Sequence, residues 1–145
     1  MEKAIQQAKK AYNDGEIPIG CVIVCDEKII ASAHNTKQNC DNSLHHAEIL
    51  ALDRAMKTLG TKYLNNCTMY LTIEPCAMCA GAMINCRLGK LVFGAREPKT
   101  GCAGSIYNLL EDNRFNHRVI VEEGVMQEEC SCLMKEFFIS RRNKC

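Results

Sequence analysis

His46-Ala47-Glu48 and Pro75-Cys76-Ala77-Met78-Cys79 constrain this chain more than any other feature. Both read as helix starts, since Pro suits a first helical turn and an acid there is favoured by the helix dipole. Cys76 and Cys79 are i and i+3, so both thiolates leave one helical face and reach one ion. His46 would supply a third donor from the other helix. A fold that uses these residues together must aim two helix N-termini at one point. Two positive dipole ends meeting there favour thiolates.

Three protein donors with a fourth position open describe a catalytic zinc site rather than a structural one. Glu48 lies two residues from His46 and is not needed as a ligand. Its carboxylate is placed to take a proton from an activated water and deliver it to a leaving amine. Two blander readings compete. Cys76 and Cys79 alone would suit a redox dithiol. A purely structural zinc module would need a fourth ligand, for which Cys86 and His45 are the near candidates.

Composition sets the frame for that site. With 145 residues, 47% hydrophobic and 24% charged, the chain is expected to be one domain, 1–145, on a single core. The longest mostly apolar run, Cys76 to Ile84, falls well short of the roughly 20 residues of a membrane span. The opening MEKAIQQAKKAYND has no apolar stretch, so no secretory leader and a cytoplasmic location are expected. There are 11 cysteines, an odd count, which in such a chain are read as thiols or ligands before disulfides. Outside the zinc motif, Cys21, Cys25, Cys40, Cys67, Cys86, Cys102, Cys130, Cys132 and Cys145 read as small apolar residues. Net charge is +1, but cations cluster at Arg87, Lys90, Arg96 and Lys99 and again at Arg141, Arg142 and Lys144.

Periodicity predicts helices over 2–13, 46–59, 75–84 and 128–141 and strands over 21–25, 28–33, 68–73, 90–93 and 118–121. A further short helix between the last two strands is left open. Interleaved strands and helices imply an α/β fold, a mixed central sheet of about five strands sandwiched by helices on both faces. Phe137 and Phe138 point about 100° apart on a helix, so only one belongs in the core. The other is free to stack on an unpaired base.

HxE followed one βα unit later by PCxxC is the pattern by which zinc nucleobase deaminases are recognised. The chain resembles one family of these, the bacterial tRNA-specific adenosine deaminases, over nearly its whole length. Beyond the zinc motif the resemblance runs through Ile17-Pro18-Ile19-Gly20, His34-Asn35, Glu74 to Ile84, Val92 to Arg96, Lys99-Thr100-Gly101, Ala103-Gly104-Ser105, Asn116 to Val119 and Phe137-Phe138. His45 departs from the family's small or hydroxyl residue, and Glu97 stands where Asp is common.

The resemblance implies a cytidine deaminase-like fold and conversion of the wobble adenosine of a tRNA anticodon loop to inosine. It implies one zinc ion on His46, Cys76 and Cys79, with Glu48 as proton shuttle. Asn35 and the backbone of Ala47 would hold the purine and its ribose. Lys99, Arg141 and Arg142 would meet phosphates. Glu97, the one acid among the cations at 87–99, either balances Arg96 or accepts a ribose 2′-OH, the group that marks RNA. The family is homodimeric, so a homodimer is expected here. The rival is a deaminase of a free base or nucleoside, guanine or cytosine, which shares the zinc site and does not need the basic C-terminal helix.

Overall fold

The computed structural model describes residues 1–142. Lys144 and Cys145 lie outside the described residues. Ala4, Ile5, Ala8 and Ala11 recur at helical spacing and are buried along one stripe of α1 (Glu2–Asn13). Chain reversal at Asp14 and Gly15 leads to β1 (Gly20–Cys25), which turns at Asp26-Glu27 into β2 (Lys28–His34). α2 (Ala47–Leu59) follows and stops at Gly60, whose φ of 63° is the left-handed cap conformation. β3 (Cys67–Ile73), α3 (Ala77–Asn85) and β4 (Lys90–Ala95) form a parallel βαβ unit. β5 (Ile120–Glu123) and α4 (Gln127–Arg142) close the described chain.

The strands form one mixed sheet in the order β2-β1-β3-β4-β5. β1 is antiparallel to β2 and β3, whereas β3, β4 and β5 run parallel. α2 packs over β1 and β2 and touches α3, while α1 and α4 cover β1, β3 and β4 and touch each other. The larger core lies on the α2–α3 side and includes Ile23, Leu52, Met69, Leu71, Met83 and Phe93. A smaller core of Ile5, Ile73, Ala95 and Cys130 fills the α1–α4 side. Helices therefore cover both faces, as the alternation of elements predicts.

The structure settles one point that the sequence leaves open and corrects two expectations. The chain between β4 and β5 contains no helix among the described residues; it is a run of turns pinned by an isolated bridge between Ala103 and Asn108. The last strand starts two residues late. Val119, the most apolar-looking candidate, spends its N–H on Leu110 O instead, and pairing with β4 begins at Ile120. Finally, Cys40 and Cys132 are exposed thiols rather than buried apolar residues.

Candidate active site

His46 and Cys76 each occupy the N-cap position of a helix, with extended backbone (ψ 148° and 175°) before α2 and α3 begin. The N-cap is where the chain enters the helix, so both side chains sit at the positive ends of their helices. Cys79 lies in the first turn of α3 and is buried. His46 Nδ1 stands 3.8 Å from Cys76 Sγ and 3.6 Å from Cys79 Sγ. A tetrahedral ion with bonds of about 2.3 Å to sulfur and about 2.05 Å to nitrogen would separate those atoms by about 3.6 Å. The donor set and its spacing fit zinc. Among the described residues this is the one group of three or more such side chains with all donor atoms within 4.8 Å, so no fourth protein ligand joins it. Cys86 Sγ turns instead to Met83 O at 3.5 Å.

The thiols behave as a pair that shares one proton. The Cys79 thiol beside Cys76, and then His46, pull the Cys76 thiol down to about 4. The Cys76 thiolate in turn drives Cys79 well above the ordinary thiol value and raises His46. A divalent ion on these donors would take the place of that proton and stabilise both sulfurs as thiolates.

Glu48 lies in the first turn of α2 and is 3% exposed. Its Oε2 has no hydrogen-bond partner among the described residues. Burial pushes its carboxyl up to about 7, which suits a group that must both take and give a proton near neutrality. The cavity above it, about 180 Å³, is lined by Asn35, His46, Glu48, Glu74, Cys76, Glu97 and Phe138, among others. Ala47, the first residue of α2, has an N–H with no partner inside the helix by position.

The structure separates the outer residues more than the sequence does. Phe137 is buried edge-on against Tyr12, with ring centroids 5.7 Å apart, whereas Phe138 is 46% exposed at the cavity rim. Lys99, Phe138, Arg141 and Arg142 line one adjoining cleft. Arg141 donates to Gly15 O and lies over the Phe137 ring, so it also ties α4 to the end of α1. Lys90 and Arg96 are paired with Glu122 at 2.6 Å and Glu123 at 2.9 Å, and Arg87 sits over Tyr63. Of the four cations clustered at 87–99, Lys99 is the one facing this cleft without an ion-pair or aromatic partner among the described residues. Glu97 Oε1 accepts the Lys99 N–H at 3.0 Å, which gives this acid a structural task within its own loop.

Two buried acids were missed as functional residues. Glu74 is 4% exposed and accepts from the N–H groups of Glu97, Ala103 and Ser105 and from the Ser105 hydroxyl. Burial raises its carboxyl, but these donors outweigh burial and hold it below the usual carboxylate value. Gly101 is required beside it, since a Cβ there would lie 2.4 Å from Glu74 Cδ. Glu16, fully buried, accepts from Asn35 Nδ2 at 3.2 Å. The one sequence signal for either was an acid standing beside a motif residue.

This site can be compared with known proteins. A family model described as MafB19-like deaminase matches residues 1–142. The tRNA-specific adenosine deaminase of Bacillus subtilis (strain 168) is 49% identical over 144 residues, covering 99% of this chain and 89% of that protein. This chain belongs to the tRNA-specific adenosine deaminases. The member of that family from Aquifex aeolicus (strain VF5) is 41% identical over 143 residues, covering 99% of this chain and 94% of that protein. A structure solved in a study of A-to-I editing by tRNA:A34 deaminases at the wobble position superposes with a TM-score of 0.88, 33% identity, and coverage of 92% of this chain and 96% of that one. The guanine deaminase of Nitrosomonas europaea matches at TM-score 0.78 over 92% of this chain and 80% of that one; at 24% identity it shows the fold alone. No helix among the described residues of this deaminase is long and apolar enough to cross a membrane.

Proposed function

We propose that this chain hydrolyses the wobble adenosine of a tRNA anticodon loop to inosine, with one zinc ion held by His46, Cys76 and Cys79 and with Glu48 as proton carrier. One observation carries the reading. A buried carboxylate with a free oxygen sits beside three donors at tetrahedral spacing, in a chain that aligns end to end with tRNA-specific adenosine deaminases.

Zinc, when bound, supplies a Lewis acid that makes a water acidic. Glu48 accepts a proton from the attacking water as its oxygen adds to C6 of adenine. The same carboxyl returns the proton to the ring nitrogen. It then carries the second proton to the departing ammonia, so that adenosine and water become inosine and ammonia. Burial raises the Glu48 carboxyl to about 7, which matches it to both directions of transfer. Asn35 and the Ala47 N–H hold the nucleoside. Lys99, Arg141 and Arg142 meet phosphates, Glu97 accepts the ribose 2′-OH with its second oxygen, and Phe138 stacks on an unpaired base. A loop is a fitting target because an unpaired base is splayed out at low cost.

The chain works as a homodimer in the cytoplasm. Exposed Ile106 and Tyr107 supply apolar surface for a second copy to cover. Sedimentation velocity tests this: a species at twice the chain mass is expected, and a monomer at micromolar concentration contradicts it.

A panel of substrates tests the activity itself. An anticodon stem-loop with adenosine at the wobble position should be deaminated, with free adenosine, guanine and cytidine far behind. Faster turnover of free guanine or cytidine than of the stem-loop would contradict the tRNA reading.

A further inference from the structure

Glu16 is fully buried yet forms no ion pair among the described residues. A buried acid without a cation is costly unless its oxygens are well used. Both are used here: Oε1 accepts the backbone N–H of Asn39 at 2.7 Å, and Oε2 accepts Asn35 Nδ2 at 3.2 Å. Glu16 is itself held at the end of α1 by its N–H to Ala11 O. Asn35 is 3% exposed, fixed through its N–H to Ile19 O, and lines the cavity with His46 and Glu48.

A carboxylate only accepts hydrogen bonds, whereas a primary amide has one donating and one accepting end. Glu16 therefore selects one of the two orientations of the Asn35 amide. Turned over, the amide would set its oxygen against a carboxylate oxygen. In the selected orientation Asn35 Oδ1 has no hydrogen-bond partner among the described residues.

We propose that Glu16 is the positioning residue that locks the Asn35 amide with its carbonyl oxygen toward the cavity, so that this side of the site takes a hydrogen-bond donor of the nucleoside and refuses an acceptor. The proposal rests on the reading of Asn35 as a nucleoside contact. Glu16 acts through Asn35 and touches no reacting atom.

The test is a swap of donor and acceptor. In Glu16→Gln the amide oxygen keeps the Asn39 N–H, and the new NH2 faces Asn35, which must then turn over and present its own NH2 to the cavity. kcat/KM on the adenosine stem-loop should fall about ten- to hundredfold, the usual consequence of one mismatched buried hydrogen bond. Zinc content and Tm should stay near those of the parent protein. Asn35→Asp alone sets two acids against each other and should fall at least as far. The double variant Glu16→Gln/Asn35→Asp restores the pair, with NH2 donating to the new carboxylate and an acceptor again facing the cavity. Its kcat/KM should rise above both single variants, to within about tenfold of the parent, the non-additivity expected of a direct pair. A double variant no better than the worse single overturns the proposal. So does a Glu16→Gln protein with parental kcat/KM when Asn35→Ala is impaired, an outcome that leaves the Asn35 contact standing. A fully active Asn35→Ala protein instead removes the contact itself.

Discussion

The Glu74 carboxylate accepts both the backbone N–H and the hydroxyl of Ser105, and the N–H groups of Glu97 and Ala103 complete its set. A loop that carries Glu97 and Lys99 is thus wound around one buried oxygen pair. That pair sits directly before Pro75-Cys76, where α3 presents its sulfurs. Cys102 N–H adds a bond to Pro75 O. The loop at the mouth of the cavity and the floor that holds the sulfurs are therefore one rigid unit.

Removing that carboxylate should loosen the mouth and leave the floor intact. Glu74→Ala strands three backbone N–H groups, each worth about 1–3 kcal/mol if it stays buried. The loop will move toward water, so a total loss near the low end, about 2–3 kcal/mol, is expected in urea unfolding. KM for the stem-loop should rise more than kcat falls, and zinc content should hold. Unchanged stability and KM would show that the loop does not depend on Glu74.

Glu48→Ala should keep the metal and the fold while turnover collapses. General acid–base groups contribute about 10²–10⁴-fold, and one carboxyl serving several transfers belongs at the upper end. Near-normal rates in this variant would remove Glu48 from the chemistry. Loss of zinc would make it a ligand.

Chelation should abolish activity without unfolding the chain. The core on the α2–α3 side is built mainly from apolar side chains such as Ile23, Leu52, Met69, Leu71 and Phe93, unlike that of a small zinc-folded module. Far-UV circular dichroism of the metal-free protein should keep its helical signal, its Tm should fall, and added zinc should restore turnover. Full activity in metal-free protein, with metal absent by mass spectrometry, would contradict the metal site.

The two C-terminal arginines should separate. Arg142→Ala should lower the salt slope of log K for tRNA by about 0.7–0.9, the share of one phosphate contact, with Tm unchanged. Arg141→Ala should lower the slope by a similar amount and also lower Tm, because its guanidinium holds Gly15 O and covers Phe137. The pair together should lose about 1.4–1.8. An unchanged slope in the double variant would leave both as surface charges.

That His46, Cys76 and Cys79 come together was legible because the signal is local: the two thiols are spaced within one helical turn, and His46 and Cys76 stand where α2 and α3 begin. α1 and α2 were legible for the same reason, through a repeating buried stripe. Glu97 to Gly104 reads as a loop from its Pro and Gly, but the way it is pinned does not, since Glu74 lies 23 to 31 residues away in sequence from the N–H groups it accepts. The roles of Glu16 and Glu74 were hidden because an isolated acid carries no mark of burial. Helical spacing showed that Phe137 and Phe138 differ, but only packing against Tyr12 decides that Phe137 is the inner one. The predicted basic patch is smaller than its sequence because β5 brings Glu122 and Glu123 alongside Lys90 and Arg96.

The central claim is that this chain makes inosine at the wobble position of tRNA through Glu48 and its zinc. The most direct measurement is mass spectrometry of nuclease fragments from unmodified tRNA bearing a wobble adenosine, after incubation with the zinc-loaded protein or with Glu48→Ala. Conversion of that one adenosine to inosine by the parent protein, and none by the variant, is the predicted result. A wobble position that remains adenosine with active, zinc-loaded protein, or inosine formed equally by the variant, would contradict the account.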